Sequence, residues 1–472
     1  MLAGHVYTNE FIDSKNIHDL VDCQYITGAI IMAVFQGKPR ESWKEYLANL
    51  PSMFVRSIFR HNYPNNDVDR SEIVFKNFFL HFHPVKCHKH SLDPFYTLGL
   101  GAITTSLFLL LTFTGVILMF YYIPAEDRAY EIMKDWQDTT PFAMMYRNMH
   151  RWSAHMMVLF VFLHMSRVFY TGSYKGTRRF NWVIGVTLMV LTLILSFTGY
   201  LLPWDQLAFW AITVGTNIAG YVPNLPGFEY NVNRVMLLAS TNVGQDALIR
   251  FYVLHVAFLP LITGTLIGVH FWRIRKDGGL TRPPDRIRPD PLRVVQRSDT
   301  KESFAPGVKR TYGLMELVRG TCPTVDKGPY NFVFTWPNLL RAEMVAFLLT
   351  TVLVLGLSLI DAPLEEPANP SKPTNPSKAP WYFLGLQEMV AYNAFWGGVA
   401  IPMGIILGLM SIPYLDRNPH GEGYWFHRSR YIAIFFYTLF MTWQGLLVII
   451  GTYFRGANWG WVWPWTENFA RH

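Results

Sequence analysis

Charge is what this sequence has least of. Only 16% of its 472 residues are Asp, Glu, Lys or Arg, where a soluble domain carries about 25%. With 51% hydrophobic residues and a positive mean hydropathy of +0.16, that shortage excludes an ordinary soluble fold and points into a membrane. Cysteine is nearly missing as well. Cys23, Cys87 and Cys322 stand far apart and write neither CxxC nor CxxCH, which excludes a thiolate zinc site, a disulfide framework and that route to a covalent haem. A cleavable leader is not expected, because the first apolar stretch, Tyr25–Phe35, is too short to span and has no basic run before it. The net charge of +8 does not imply nucleic acid. The basic residues fall in loops between apolar runs, which is how membrane proteins mark their cytoplasm-like side.

Long apolar runs are what the chain has instead. Seven stretches approach the ~20 residues that a span needs: Leu98–Tyr122, Met144–Tyr170, Trp182–Leu202, Leu248–Trp272, Leu339–Leu359, Phe395–Ile412 and Tyr431–Tyr453. The expected fold is an all-α integral membrane protein of seven transmembrane helices, four and then three. Residues 1–90 read as a peripheral N-terminal extension with an amphipathic helix. Residues 91–276 form the four-helix part, 277–330 a basic linker, and 331–472 the three-helix part with an aromatic tail. The Pro-, Asn- and Ser-rich stretch Pro363–Pro380 must be a loop. Loop charge alternates: Lys175, Arg178 and Arg179 follow the second span and a basic run follows the fourth, whereas Glu126, Asp127, Glu131, Asp135 and Asp138 follow the first. The positive-inside rule then puts the N-terminus on the negative side of the membrane.

Histidine inside a spanning helix costs free energy and suggests function. The second span holds His150 and His164, fourteen residues apart, about 40° short of four full turns and about 21 Å along the axis. The fourth holds His255 and His270, fifteen apart, about 60° past four turns and about 22 Å along. Both spans run in the same direction, so His150 falls level with His255 and His164 with His270. Neutral imidazole is a common ligand of haem iron, and one from each helix fills both axial positions. Each pair could therefore hold one non-covalent haem b. Hydrogen-bonded or proton-relaying histidines are the alternative, which matched depths disfavour. His155 points away from the His150/His164 face and reads as structural.

Glycines repeat the spacing. Gly101 and Gly115 lie fourteen apart in the first span, and Gly185 and Gly199 do so in the third. They admit a flat macrocycle close to the backbone, or simply close helix packing. Arg147, Arg167 and Arg250 lie within a turn or two of the histidines and suit propionates, unless they only snorkel to the interface.

The segments MHRWSAHMMVLFVFLHMSRVFYTGSYKG, LIRFYVLHVAFLPLITGTLIGVHFWRIRKDGG and GYLLPWDQLAFWAITVGTN resemble cytochrome b of bc- and bf-type quinol-oxidising complexes. The fifteen-residue spacing and the PWDQ wording resemble the bf type. FTWPNLLRAEMVAFLLTTVLVLGLSLIDAPLEEPANPS is similar to subunit IV, a separate chain in bf complexes but joined here to the dihaem four-helix part. The resemblance runs from about Leu92 to Tyr453. It implies two bis-His haems b and a quinol site on the positive side, lined by Tyr200, Pro203, Trp204, Ala211, Trp381 and Tyr382. One electron would pass to a Rieske iron–sulfur protein. The other would go to the haem at His150/His255, then to that at His164/His270, and reduce quinone on the negative side, where Arg275 and Lys276 would meet an anion. Proton translocation, a c-type cytochrome subunit, a homodimeric complex and a bacterial energy-conserving membrane are implied with it.

Two departures stand out. The family often has Pro-Glu-Trp-Tyr in the quinol site, with the glutamate taking a proton, whereas this chain reads Ala379-Pro380-Trp381-Tyr382. Glu388, about two helical turns on, is the candidate substitute, and the altered motif could suit a low-potential quinol such as menaquinol. Second, bf-type proteins attach an extra haem through a cysteine where this chain has Thr97, so the resemblance does not carry a covalent haem here, and Cys87 is a poor replacement. The cluster His81, His83, Cys87, His88 and His90 matches no zinc spacing and reads as interfacial. Trp459, Trp461, Trp463 and Trp465 resemble an interfacial aromatic belt or a docking surface. A haem b anchor between a dehydrogenase and the quinone pool is the alternative function, and a transporter with relay histidines a third.

Overall fold

A computed structural model describes residues 42–58, 63–223, 232–283 and 332–465. Cys23, Cys322, the stretch Tyr25–Phe35 and most of the basic linker lie outside the described residues. The chain divides into two compact units, Met1–Tyr63 and Pro64–His472. In the first, helix α1 (Trp43–Ile58) buries none of its residues. Its Trp43, Leu47, Leu50, Phe54 and Ile58 follow a helical period and are all exposed, an apolar stripe suited to the membrane interface.

The first unit ends inside the stretch 1–90 that the sequence reads as an extension. Helix α2 (Asp67–Lys76) belongs to the second unit and packs on α10 (Thr335–Leu357). Strand β1 (Lys86–His88) pairs antiparallel with β2 (Phe332–Phe334), Cys87 opposite Val333. Short elements without a spanning run give no hydropathy signal, which is why the sequence assigned them to the extension.

The remaining helices are α3 (Leu100–Met119), α4 (Ala129–Asp138), α5 (Pro141–Tyr170), α6 (Arg179–Tyr200), α7 (Gln206–Gly220), α8 (Val232–Leu238), α9 (Gln245–Lys276), α11 (Trp381–Tyr392), α12 (Trp396–Leu415) and α13 (Tyr431–Tyr453). Among the described residues seven helices, α3, α5, α6, α9, α10, α12 and α13, are long and apolar enough to cross a membrane, and the seven expected stretches fall on them. α4, α7 and α8 lie in loops that the sequence left unassigned. α7 starts where Asp205 accepts the amide of Ala208 at 2.8 Å, an N-cap.

Proline shapes two spans. Pro260 in α9 and Pro402 in α12 cannot donate the usual backbone bond. The segments just before them, Leu254–Phe258 and Trp396–Ala400, relax into π-turns, and both helices continue without breaking. Much of the apolar surface stays exposed, such as Leu348, Leu349 and Val352 on α10 and Phe435, Phe436 and Leu439 on α13. Lipid tails are as apolar as these side chains, so exposure costs nothing there.

α5 is the seam of the second unit. It packs against α3, α6 and α10, while α6 packs against α9 and α12 and α11 against α13. At its start, Arg147 donates to the carbonyls of Ala362 and Pro363, each at 2.8 Å, and Asn148 accepts the amide of Ala362 at 2.8 Å. At its end, buried Arg430 donates to the carbonyls of Phe169 at 2.8 Å and Tyr170 at 3.1 Å. Lys175 pairs there with Asp416 at 3.2 Å. Burial alone would raise the Asp416 carboxyl, but a hydrogen bond from Tyr174 and the Lys175 charge together hold it below its usual range. The three-helix part is thus tied to α5 at both ends.

Candidate functional site

α5 and α9 bring His150 and His255 face to face, their ring centroids 6.1 Å apart and their planes 75° apart. A metal–imidazole bond is about 2 Å and the ring centre lies about 1 Å behind its nitrogen, so two imidazoles sharing one metal place their centroids about 6 Å apart. The pair fits that axis. His255 has its Nδ1 3.1 Å from the Leu195 carbonyl and 3.2 Å from Thr198 Oγ1. A carbonyl only accepts, so Nδ1 carries the proton and Nε2 keeps the lone pair that a metal requires. His150 Nδ1 lies 2.9 Å from Thr114 Oγ1. At the other level, the buried Nδ1 of His164 and that of His270 each lacks a hydrogen-bond partner among the described residues.

Each of the four predicted glycines faces a different one of these rings. A Cβ on Gly101 would stand 3.5 Å from His164 Cε1, on Gly115 3.2 Å from His150, on Gly185 3.8 Å from His270, and on Gly199 2.5 Å from His255. The last distance is below any van der Waals contact. Gly199→Ala is therefore expected to displace His255 and lower haem content, while Gly185→Ala, at ordinary contact distance, keeps it. Haem per polypeptide in the two purified variants checks this, and equal content would show that ring clearance does not set the glycine.

The predicted arginines part company. Arg167 is buried, donates through Nε to the Tyr96 carbonyl at 3.3 Å and stacks 4.5 Å over the Tyr96 ring. Its buried Nη2 has no partner among the described residues, a cation held ready for an anion such as a propionate. Arg147 is already committed to the two loop carbonyls. Arg250, five residues ahead of His255, is exposed and donates to the Met236 carbonyl in the last turn of α8. Arg275 donates to the His81 carbonyl and lies 5.9 Å over Phe75, and Lys276 lies 5.2 Å over Trp272.

A second cluster forms at the His150 end. Trp381 and Tyr382 open α11, and Trp381 Nε1 donates to His155 Nδ1 at 3.1 Å. Tyr382 meets the His155 ring edge-on at 5.5 Å, Trp152 meets it at 5.6 Å, and Arg151 lies 5.8 Å over Tyr200. Burial pushes the Tyr382 phenol up to about 12. Thus Trp381 and Tyr382 meet around His155, which the sequence read as structural, while Tyr200 packs under Arg151. The signal was present: a polar ring in a spanning helix is costly wherever it points. Trp204 and Asp205 are buried just behind, where Gln206 accepts the Asn369 amide at 2.7 Å. Burial raises the Asp205 carboxyl above its usual range against two amide donors.

Glu388 stands apart from this cluster as a proton acceptor. It is 1% exposed, and Arg455 donates to both of its oxygens, with Nε at 3.2 and 3.0 Å, while Trp459 Nε1 adds a bond at 3.0 Å. The candidate proton acceptor is one half of a buried ion pair, because Arg455 reaches back from beyond α13. That bonding pushes Arg455 above its usual value. In the N-terminal histidine cluster, His83 pairs with Glu343 at 3.0 Å, and His88 accepts the amide of His90 at 3.1 Å. Thr97 donates to the Asp93 carbonyl at 3.3 Å, and Cys87 is buried in β1. Trp461 meets Trp463 edge-on at 5.5 Å, and Trp463 stacks on Trp465 at 5.0 Å.

Residues 86–278 match the family model for cytochrome b/b6/petB. The chain is 42% identical to cytochrome b6 of Heliobacterium modesticaldum over 196 residues, 42% of this chain and 88% of that protein. It is 41% identical to cytochrome b6 of Euglena gracilis over 179 residues, 38% of this chain and 81% of that protein. In fold it is similar to a chain of a hyperthermophilic respiratory Complex III, with a TM-score of 0.60 at 23% identity, over 81% of this chain and 88% of that one. The family match ends just past α9, so the likeness of α10 to α13 rests on the fold. Because nearly the whole of a curated cytochrome b6 aligns at this identity, the chain belongs to the cytochrome b/b6 family, whose members hold haem b among membrane helices.

Proposed function

We propose that this chain is the dihaem, quinol-oxidising subunit of a complex that passes electrons from quinol to a c-type cytochrome. The observation that supports it most is the paired geometry: one histidine from α5 and one from α9 at each of two depths, each ring opposite its own glycine. His150 with His255, and His164 with His270, would each hold one haem b. When bound, these groups supply one-electron carriers at two depths of the membrane. The protein contributes the rest. The Leu195 carbonyl sets the His255 tautomer, and Arg167 offers a buried charge to a propionate. Tyr200, Trp381 and Tyr382 provide an aromatic wall for a flat quinol ring near the positive side.

Quinol oxidation there releases two protons and two electrons. One electron would leave to a Rieske iron–sulfur partner and the other would cross the membrane towards a quinone on the negative side, where Arg275 and Lys276 lie. That splitting moves protons across the bilayer. A homodimeric complex, a bacterial membrane and an N-terminus on the negative side belong to the same reading, and menaquinol is the quinol that the Pro380 motif favours. An extra covalent haem is not part of it, given Thr97.

The test is a pyridine haemochrome assay on the purified protein. Two b haems per chain, both extractable by acid acetone, are expected. One haem would favour a simple anchor, and none in a folded preparation would end the reading.

A further inference from the structure

His155 is a polar ring inside a spanning helix that belongs to neither histidine pair. Five residues beyond His150, it lies about 140° further round α5, and this turns it towards α11 rather than towards α9. Three aromatic side chains fix it there: the Trp381 indole at hydrogen-bond distance, Tyr382 edge-on and Trp152 tilted against it.

The bond to Trp381 decides the chemistry of the ring. An indole nitrogen only donates. His155 Nδ1 must therefore hold a lone pair, and the proton of the neutral imidazole sits on Nε2. The hydrogen bond that His155 makes among the described residues is the one at Nδ1, and the ring is only half-buried. The cluster thus contains an oriented N–H with nothing to donate to, beside the aromatic surfaces of Tyr382 and Trp381. Pro380, where the family often has a glutamate, has no polar side chain to contribute. The other polar groups here are already placed: Arg151 lies over Tyr200, and the Tyr382 phenol is held protonated by burial.

We propose that His155 is the substrate-binding donor of this site: its Nε2–H bonds to a ring oxygen of the quinol, in a tautomer fixed by the Trp381 indole. The oxygen accepts through a lone pair and no proton is transferred, so the role is one of binding and orientation. This rests on the reading of the aromatic cluster as the quinol site.

The experiment uses the purified complex with decylubiquinol and a short-chain naphthoquinol. His155→Leu is expected to raise KM about tenfold, the loss of one hydrogen bond in a dry site, with kcat within about threefold. His155→Asn keeps an acceptor for Trp381 but falls short of the substrate, and should match the leucine variant. Should the leucine variant fail to assemble, the asparagine variant carries the same comparison. His155→Gln extends an amide N–H to the Nε2 position and should return KM to within about threefold of the parent. Haem content and the haem spectrum should be the same in all. An unchanged KM in the asparagine and leucine variants would overturn the proposal, as would a glutamine variant no better than they are, the mark of a packing role. If the parent complex oxidises neither quinol, the underlying site reading falls and the proposal with it, a result reached before any variant is made.

Discussion

Replacing His255 with leucine is expected to lower the haem b content from two per chain to one and to abolish quinol oxidation. The size of the effect comes from how the ring is held. Its Nδ1–H is taken by the Leu195 carbonyl and by Thr198, so Nε2 is fixed as the ligand by contacts that a leucine cannot make. His150 would remain opposite, with its own glycine behind it, as one imidazole where two would be needed to hold the haem. The Leu195 carbonyl keeps the Thr198 hydroxyl as a donor, so the expected effect falls on the cofactor rather than on the helix. His270→Leu is expected to remove the other haem in the same way, and the two variants should each lose a different part of the α-band. His155→Leu, one and a half turns from His150, should keep both haems. Haem counted per polypeptide distinguishes the three. Two haems retained in the His255 variant would sink the paired-ligand reading.

How legible each feature was in the sequence depends on whether it is local. The spans were readable because hydropathy is a local property: seven apolar runs fell on seven helices. The histidine and glycine spacings were readable because a straight helix converts spacing into depth and direction. The π-turn at His255 adds a residue to its local turn, and the fifteen-residue interval from His255 to His270, against fourteen in α5, is the trace of it. Pro260 was the signal for that turn. Partnerships between distant segments were not legible. Arg250 looked close to a ligand on the wheel, and its bond to the Met236 carbonyl, fourteen residues back, was not readable. Glu388 looked free because Arg455 is 67 residues off. His155 was correctly seen to point away from the haem ligands, yet its partner Trp381 is 226 residues on. The short helices α4 and α7 lie in loops, where no spanning run announces them.

Removing the cation from Glu388 is the second large effect. Arg455→Met should destabilise the protein by about 3–5 kcal/mol, because it leaves a charge buried without its partner. Glu388 is 1% exposed, and the same guanidinium also donates to the Trp459 carbonyl and the Tyr392 hydroxyl, each at 3.1 Å, and lies 5.5 Å over Trp461. Glu388→Gln should cost less, about 1–3 kcal/mol, since Trp459 can still donate to the amide oxygen and Arg455 is partly open to water. The double variant Glu388→Gln/Arg455→Met should be more stable than Arg455→Met alone, because neither member is then left charged and unpaired. Thermal unfolding in detergent orders the four proteins. The same series decides what Glu388 is for. If it took the quinol proton, Glu388→Gln would lower turnover and shift its pH profile with little change in Tm. The geometry leads to the opposite expectation: Tm falls and the pH profile stays. Protonating this carboxylate would forfeit an ion pair made with both of its oxygens, and it lies about 10 Å along α11 from Trp381. Under the proposed function the quinol wall would then fall to Trp381, Tyr382 and His155, with the Glu388–Arg455 pair tying α11 to the end of α13.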